Sequence, residues 1–159
     1  GVPQGIFGTS GVNDQAATNG TALTNATLLK MITDVASQDG LTGGEVFVVS
    51  PAAYQTITSL AQVSNVSALM VSDMLNGYKV YMSSHLNQNV TKGSVTDGTS
   101  QVLFGNFSNL LISRWSGVDL LIDPYTLGGN SEVKVIANQW MDLGARQPKA
   151  FATISDGIE

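Results

Sequence analysis

"VLFGNFSNLLISRWSGVDLLIDPYT", residues 102–126, decides how this chain is read. It opens on the apolar end of a strand expected at 101–104, turns a polar corner at 105–109, and holds two more strand-like runs at 110–115 and 118–122 on either side of Ser116-Gly117. A Ser-Gly pair between two such runs reads as a hairpin turn, so the expectation is two strands around an Arg-Trp-Ser-Gly tip. Nothing in the stretch suggests a reacting group. It reads as scaffold.

Further on, residues 132–142 read as one long strand, with Val133, Val135, Ala137 and Gln139 on one face and Lys134, Ile136, Asn138 and Trp140 on the other. A long two-sided strand points to an extended sheet. A last strand is expected at 151–154.

Towards the amino terminus the pattern changes. Residues 1–23 are rich in Gly, Thr, Asn and Ala and read as loop, with a short strand at 6–7. Thr24 is a good N-cap, and Leu28, Met31, Ile32 and Val35 share one helical face, which predicts a helix over 25–38 with Gly40 as its left-handed stop. Residues 45–49 form a short apolar strand. Ser50-Pro51 then caps a helix of about ten residues with a stripe of Tyr54, Ile57 and Leu60 or Ala61. Residues 63–75 fit a short helix or a loop, Asn76-Gly77 turns the chain, 78–82 is a strand, and 86–100 has the composition of a mobile surface loop.

Composition narrows the function. The 159 residues suit one domain, or a core with a lobe, burying roughly 70% of the extended surface. Only 12% of residues are charged, so the surface must be largely Ser, Thr, Asn, Gln and Gly, which neighbours can cover at little desolvation cost. A net charge of −5 argues against phosphate-neutralising contact with nucleic acid. Without cysteine there are no disulfides, thiolate nucleophiles or sulfur-ligated metals. No apolar run approaches the roughly 18 residues that would span a bilayer, so a membrane partner is not expected. The chain opens on Gly1 rather than Met, which reads as a cut or as the boundary of an expressed piece.

Neither a catalytic nor a metal site emerges, and no cofactor is expected. His85 is the only histidine, and at the end of a strand a surface or interface role fits it better than catalysis. Gly8-Thr9-Ser10-Gly11 lacks nucleophile-elbow spacing. Asp119 and Asp123 would lie about 13 Å apart on one strand face, too far to share a reacting atom. Asn19, Asn25, Asn65, Asn89 and Asn106 open glycosylation-type triplets that a chain rich in Asn, Ser and Thr produces by chance. Arg114-Trp115 fits two readings, an interface anchor or a Trp folded onto the domain's own core. With Trp140, these residues make the candidate subunit interface.

The order "GVPQGIFGTSGV", a helix, "EVFVVSPAAYQTITSL", "LNGYKVYMSSHL", the 102–126 stretch, then "VKVIANQWMDLGARQPKAFATI" resembles the carboxy-terminal part of tailed-phage major capsid proteins with the Hong Kong 97 phage fold. The resemblance covers nearly the whole chain. It implies an α+β fold, with a peripheral-domain segment at 1–21, an axial domain at 22–130 and peripheral-domain strands and tail at 131–159. An amino-terminal arm, an extended loop and a spine helix would precede Gly1.

The same resemblance implies a structural, non-enzymatic subunit of a phage or prophage capsid, assembled in the bacterial host cytoplasm. Its partners would be identical subunits in pentamers and hexamers, scaffold or portal proteins, and double-stranded DNA enclosed without sequence-specific contact. Some members of the family cross-link a lysine to an asparagine beside a glutamate. Here Asn138 lies about 20 Å along the strand from Glu132, so no cross-link is expected. The rival readings are an encapsulin-like compartment shell, a secreted carbohydrate-binding or adhesin module, and a small enzyme around His85.

Overall fold

The computed structural model describes residues 5–63 and 67–158. A 3-10 turn at Ile6–Gly8 stands where a strand was expected, and two short strands follow, β1 (Asn13–Asp14) and β2 (Thr21–Ala22). Both pair in parallel with the carboxy-terminal strand, a contact no local pattern can reveal.

Helix α1 (Asn25–Ala36) begins as expected, with the Thr24 side chain accepting the Thr27 N–H at 3.3 Å. Leu28, Met31 and Val35 are fully buried. The left-handed residue at its end is Asp39, with φ 53°, rather than Gly40. Glycine is needed at 40 for space, because a Cβ there would lie 2.8 Å from both Ala150 Cα and Val35 Cγ1.

Strand β3 (Val46–Val49) leads through Ser50, whose hydroxyl accepts the Ala53 N–H at 3.3 Å, into α2 (Pro51–Ser59). Ala53 and Ile57 face the core, with Tyr54 and Leu60 partly covered beside them.

The ambiguous stretch that follows is β rather than helix or loop: β4 (Ala61–Val63), β5 (Ser67–Ala68), β6 (Met70–Val71) and β7 (Met74–Leu75), with residues 64–66 outside the described residues. Two tight turns explain it. Ser72-Asp73 and Asn76-Gly77 each place two successive residues at positive φ, the geometry that matches strand twist, and so fold β6 onto β7 and β7 onto β8 (Tyr78–Met82). The loop expected at 86–100 is also partly strand. Strand β9 (Val90–Lys92) turns back on β10 (Val95–Gly105), whose eleven residues run on into the central sheet with a shift of register between Ser100 and Val102. Polar composition at 86–100 did not mean absence of pairing, and Thr99 and Ser100 at its end are buried.

Four strands follow, β11 (Leu110–Arg114), β12 (Asp119–Asp123), β13 (Lys134–Asn138) and β14 (Met141–Ala145), before β15 (Phe151–Ile158) returns to the core. The main sheet runs β1-β15-β10-β3-β8-β7-β6, with β2 also on β15 and β9 on β10. Strands β15, β10 and β3 form its middle. Phe151, Ala152 and Ile154 of β15, Val102 and Phe104 of β10, and Phe47 and Val49 of β3 are fully buried, and the burial of β15 takes in its polar Thr153 and Asp156 as well.

One side of the sheet carries α1, α2 and the packed rings of Phe47, Phe104 and Tyr78, whose centroids lie 4.5 to 6.5 Å apart. A smaller cluster is built on Ile6, Leu103 and Phe151, with Leu110 and Ala145 against it. Two helices with a mixed sheet give the α+β class. The boundary expected at 130/131 falls between the paired strands β12 and β13, and between β15 and its partner β10.

Candidate subunit interface

Residues 110–145 leave the core as a two-stranded ribbon. Its root is tied down on the core. Asn106 Nδ2 donates to Thr42 Oγ1 at 2.8 Å and to the Gly43 carbonyl at 2.7 Å, and the Arg146 N–H donates to the Asn109 carbonyl at 2.7 Å. Leu110, paired with Ala145, packs on the Ile6–Leu103–Phe151 cluster.

From there β11 pairs with β14, not with β12. The register runs from Leu110 opposite Ala145 to Arg114 opposite Met141, then resumes from Asp119 opposite Asn138 to Asp123 opposite Lys134. The first strand places residues 115–118 in the gap and the second only 139–140, which makes a bulge. It is closed by the Trp115 N–H donating to the Trp140 carbonyl at 3.2 Å.

Two expectations are corrected here. Ser116-Gly117 is not a hairpin turn: Gly117 lacks the positive φ that Gly77 shows in a true tight turn. Nor is 132–142 one continuous strand in an extended sheet, since the bulge divides it at 139–140 and its partners form a ribbon two strands wide. The reversal lies instead at the far end, between Asp123 and Lys134. There the Asp123 carboxylate accepts the N–H groups of Tyr125 at 2.9 Å and Thr126 at 3.1 Å as well as the Thr126 hydroxyl. The hydroxyl contact, then the two backbone donors, hold its carboxyl below the ordinary range.

The bulge sets Trp115 opposite Trp140, with Arg114 next to it. Trp115 is 70% exposed and Trp140 68%, and Arg114 is exposed, so the reading of a Trp folded onto its own core is excluded. Among the described residues, twelve of the eighteen exposed large apolar side chains lie on this ribbon, so the uncovered surface is concentrated, not scattered. Leu120, Leu121 and Ile122 are consecutive and all uncovered, which means both faces of the ribbon are bare. These residues and Tyr125 were not singled out from the sequence. Their signal was present as three apolar neighbours in a strand, a pattern that demands cover on two sides.

The remaining sites are dispersed. His85 is exposed after β8, and its backbone N–H lies 3.3 Å from Ser83 Oγ. The nearby depression lined by Ser72, Asp73, Met74, Lys79, Val80 and Tyr81 does not include it. Asn106 is buried with its amide engaged, which leaves no room for a glycan, and Asn65 lies outside the described residues. No group of three potential metal ligands occurs among the described residues, and no described helix is long and apolar enough to cross a membrane.

The family model described as the phage capsid family matches residues 1–156. No curated protein sequence matches the chain. Solved structures do match. The capsid of a native GTA particle superposes with a TM-score of 0.63 at 14% identity, covering 99% of this chain and 57% of that one. Gordonia phage Cozz gives 0.62 at 13% identity, with 100% and 53% covered. The holo-SrpI encapsulin complex from Synechococcus elongatus gives 0.58 at 12% identity, with 97% and 56% covered. These superpositions show a shared fold, and the chain spans little more than half the length of these solved chains.

Proposed function

The chain belongs to the phage capsid family, and from that membership we infer that it serves as a structural subunit of a tailed-phage or prophage icosahedral capsid, with no catalytic site. The observation that carries this reading is the ribbon. A two-stranded ribbon is marginal in water by itself, and one that leaves Leu120, Leu121, Ile122, Trp115 and Trp140 uncovered on two faces requires neighbours on both. Identical subunits repeated under closed symmetry supply such cover at every copy. Arg114, Trp115 and Trp140 at the bulge are the proposed anchors.

The described molecule suggests a division of labour. The compact unit at 5–63, 67–109 and 146–158 takes the axial role, and the ribbon at 110–145 supplies the long strands of the peripheral part. This moves the proposed boundary from 130/131 to the two ends of the ribbon. Partners on this reading are identical subunits in pentamers and hexamers, with scaffold and portal proteins assembling around them in the host cytoplasm. The net charge of −5 suits a wall that encloses DNA without adsorbing it.

The test is negative-stain electron microscopy of the full-length gene product, with nuclease-protected contents extracted from the same sample. Closed shells of uniform size containing DNA are expected. Shells filled with protein and no DNA would favour a compartment of the encapsulin kind, whose fold is shared. A dispersed monomer, even with neighbouring genes expressed, would overturn the shell reading.

A further inference from the structure

Asp156 is a buried charge with no place in the interface just described. It lies on β15, 2% exposed, at a gap in the sheet edge. The edge partner pairs at 13–14 with 152–153, the Gln15 N–H still donating to the Thr153 carbonyl at 2.9 Å, and again at 21–22 with 157–158, and residues 16–20 swing out between. That strap is held by the Asp156 side chain. Oδ2 accepts the Ala17 N–H at 3.0 Å, and Oδ1 lies 3.0 Å from the Thr21 hydroxyl, whose single proton is shared with the Gln15 carbonyl at 2.7 Å.

The cation opposite comes from elsewhere: Lys92 Nζ, on the β9–β10 hairpin, stands 3.8 Å from Oδ2. The same hairpin touches the strap twice more. The Ser94 N–H points to Asn19 Oδ1 at 3.4 Å, and a Cβ added at Gly93 would lie 2.6 Å from the Thr18 carbonyl oxygen, so backbone meets backbone there.

We propose that Asp156 is a latch joining the strap at 16–20 to the hairpin at 90–95, so that the two open together. The physical reason is the asymmetry of the pair. Lys92 is 44% exposed and loses little on release, whereas Asp156 would remain as an uncompensated buried carboxylate held by neutral donors alone. Lifting the hairpin therefore weakens the strap, and freeing the strap removes the surface on which Gly93 rests. A neighbour that engages the exposed hairpin tip thereby alters how the amino-terminal segment leaves the sheet, about seventy residues away along the chain. The coupling runs through one buried charge and is independent of the shell reading.

Peptide-resolved amide hydrogen exchange on the purified protein tests this, with Lys92→Met as the surface variant that keeps the fold. The expected result is exchange about three- to tenfold faster in both 16–20 and 90–94, with α1 unchanged. Asp156→Asn should accelerate both segments further, and adding Lys92→Met to it should change nothing more. Acceleration confined to 90–94, uniform acceleration that includes α1, or additive effects of the two substitutions would each overturn the latch.

Discussion

Asp123 shows how a single residue orders the far end of the ribbon. Its carboxylate gathers the Thr126 hydroxyl and the N–H groups of Tyr125 and Thr126, which lowers its pKa. A folded value below the unfolded one means that this contribution is present at neutral pH and lost as the pH falls through the depressed value. Thr126→Val removes the largest cause, so Asp123 should titrate closer to an ordinary aspartate in an NMR pH series. An unmoved midpoint would show that the backbone donors suffice. Gly40 makes the opposite demand, for space. Gly40→Ala presses a methyl onto Ala150 and Val35 and should cost about 1–3 kcal/mol in urea unfolding. The glycine was legible in the sequence, but its reason was not. A Gly just past a helix suggests a left-handed cap, whereas the backbone of residue 150 that excludes a side chain arrives from more than a hundred residues away.

Elements whose signals are local were readable. Thr24 and Ser50-Pro51 open their helices as their side chains dictate, and Asn76-Gly77 makes the turn that its tolerance of positive φ allows. Thr24→Ala should accordingly lower stability by about 1 kcal/mol, with an unchanged denaturant slope. Elements made by pairing were not readable. β1 and β2 exist because β15 lies beside them, and β9 because β10 extends back to meet it. The ribbon is the sharpest case. Residues 110–115 and 118–122 looked like partners because they are neighbours in sequence, yet each pairs with a strand beyond the 124–133 reversal.

At the scale of the molecule, the residues that hold the core together are not those proposed to make the subunit interface. The core around Phe47, Phe104 and Ile154 holds one subunit together, while the ribbon's exposed side chains contribute little to it. Replacing Trp115 and Trp140 together by Ser should leave the unfolding free energy within about 0.5 kcal/mol per site, while shell yield in electron micrographs falls sharply. A large loss of subunit stability with intact shells would reverse that assignment. No covalent ladder is expected when assembled particles are boiled in detergent and resolved by mass. What the sequence determined by itself was the α+β class, both helices with their N-caps, the strands that became the sheet's centre, and a run of chain with no chemistry but much apolar surface. Only the tertiary structure decided which strands pair, where the ribbon reverses, and that Trp115 faces Trp140 across a bulge. The physical reason is that a strand apolar on both faces favours neither register nor partner. Its choice is made by remote contacts, here the seating of Leu110 and Ala145 on Ile6, Leu103 and Phe151.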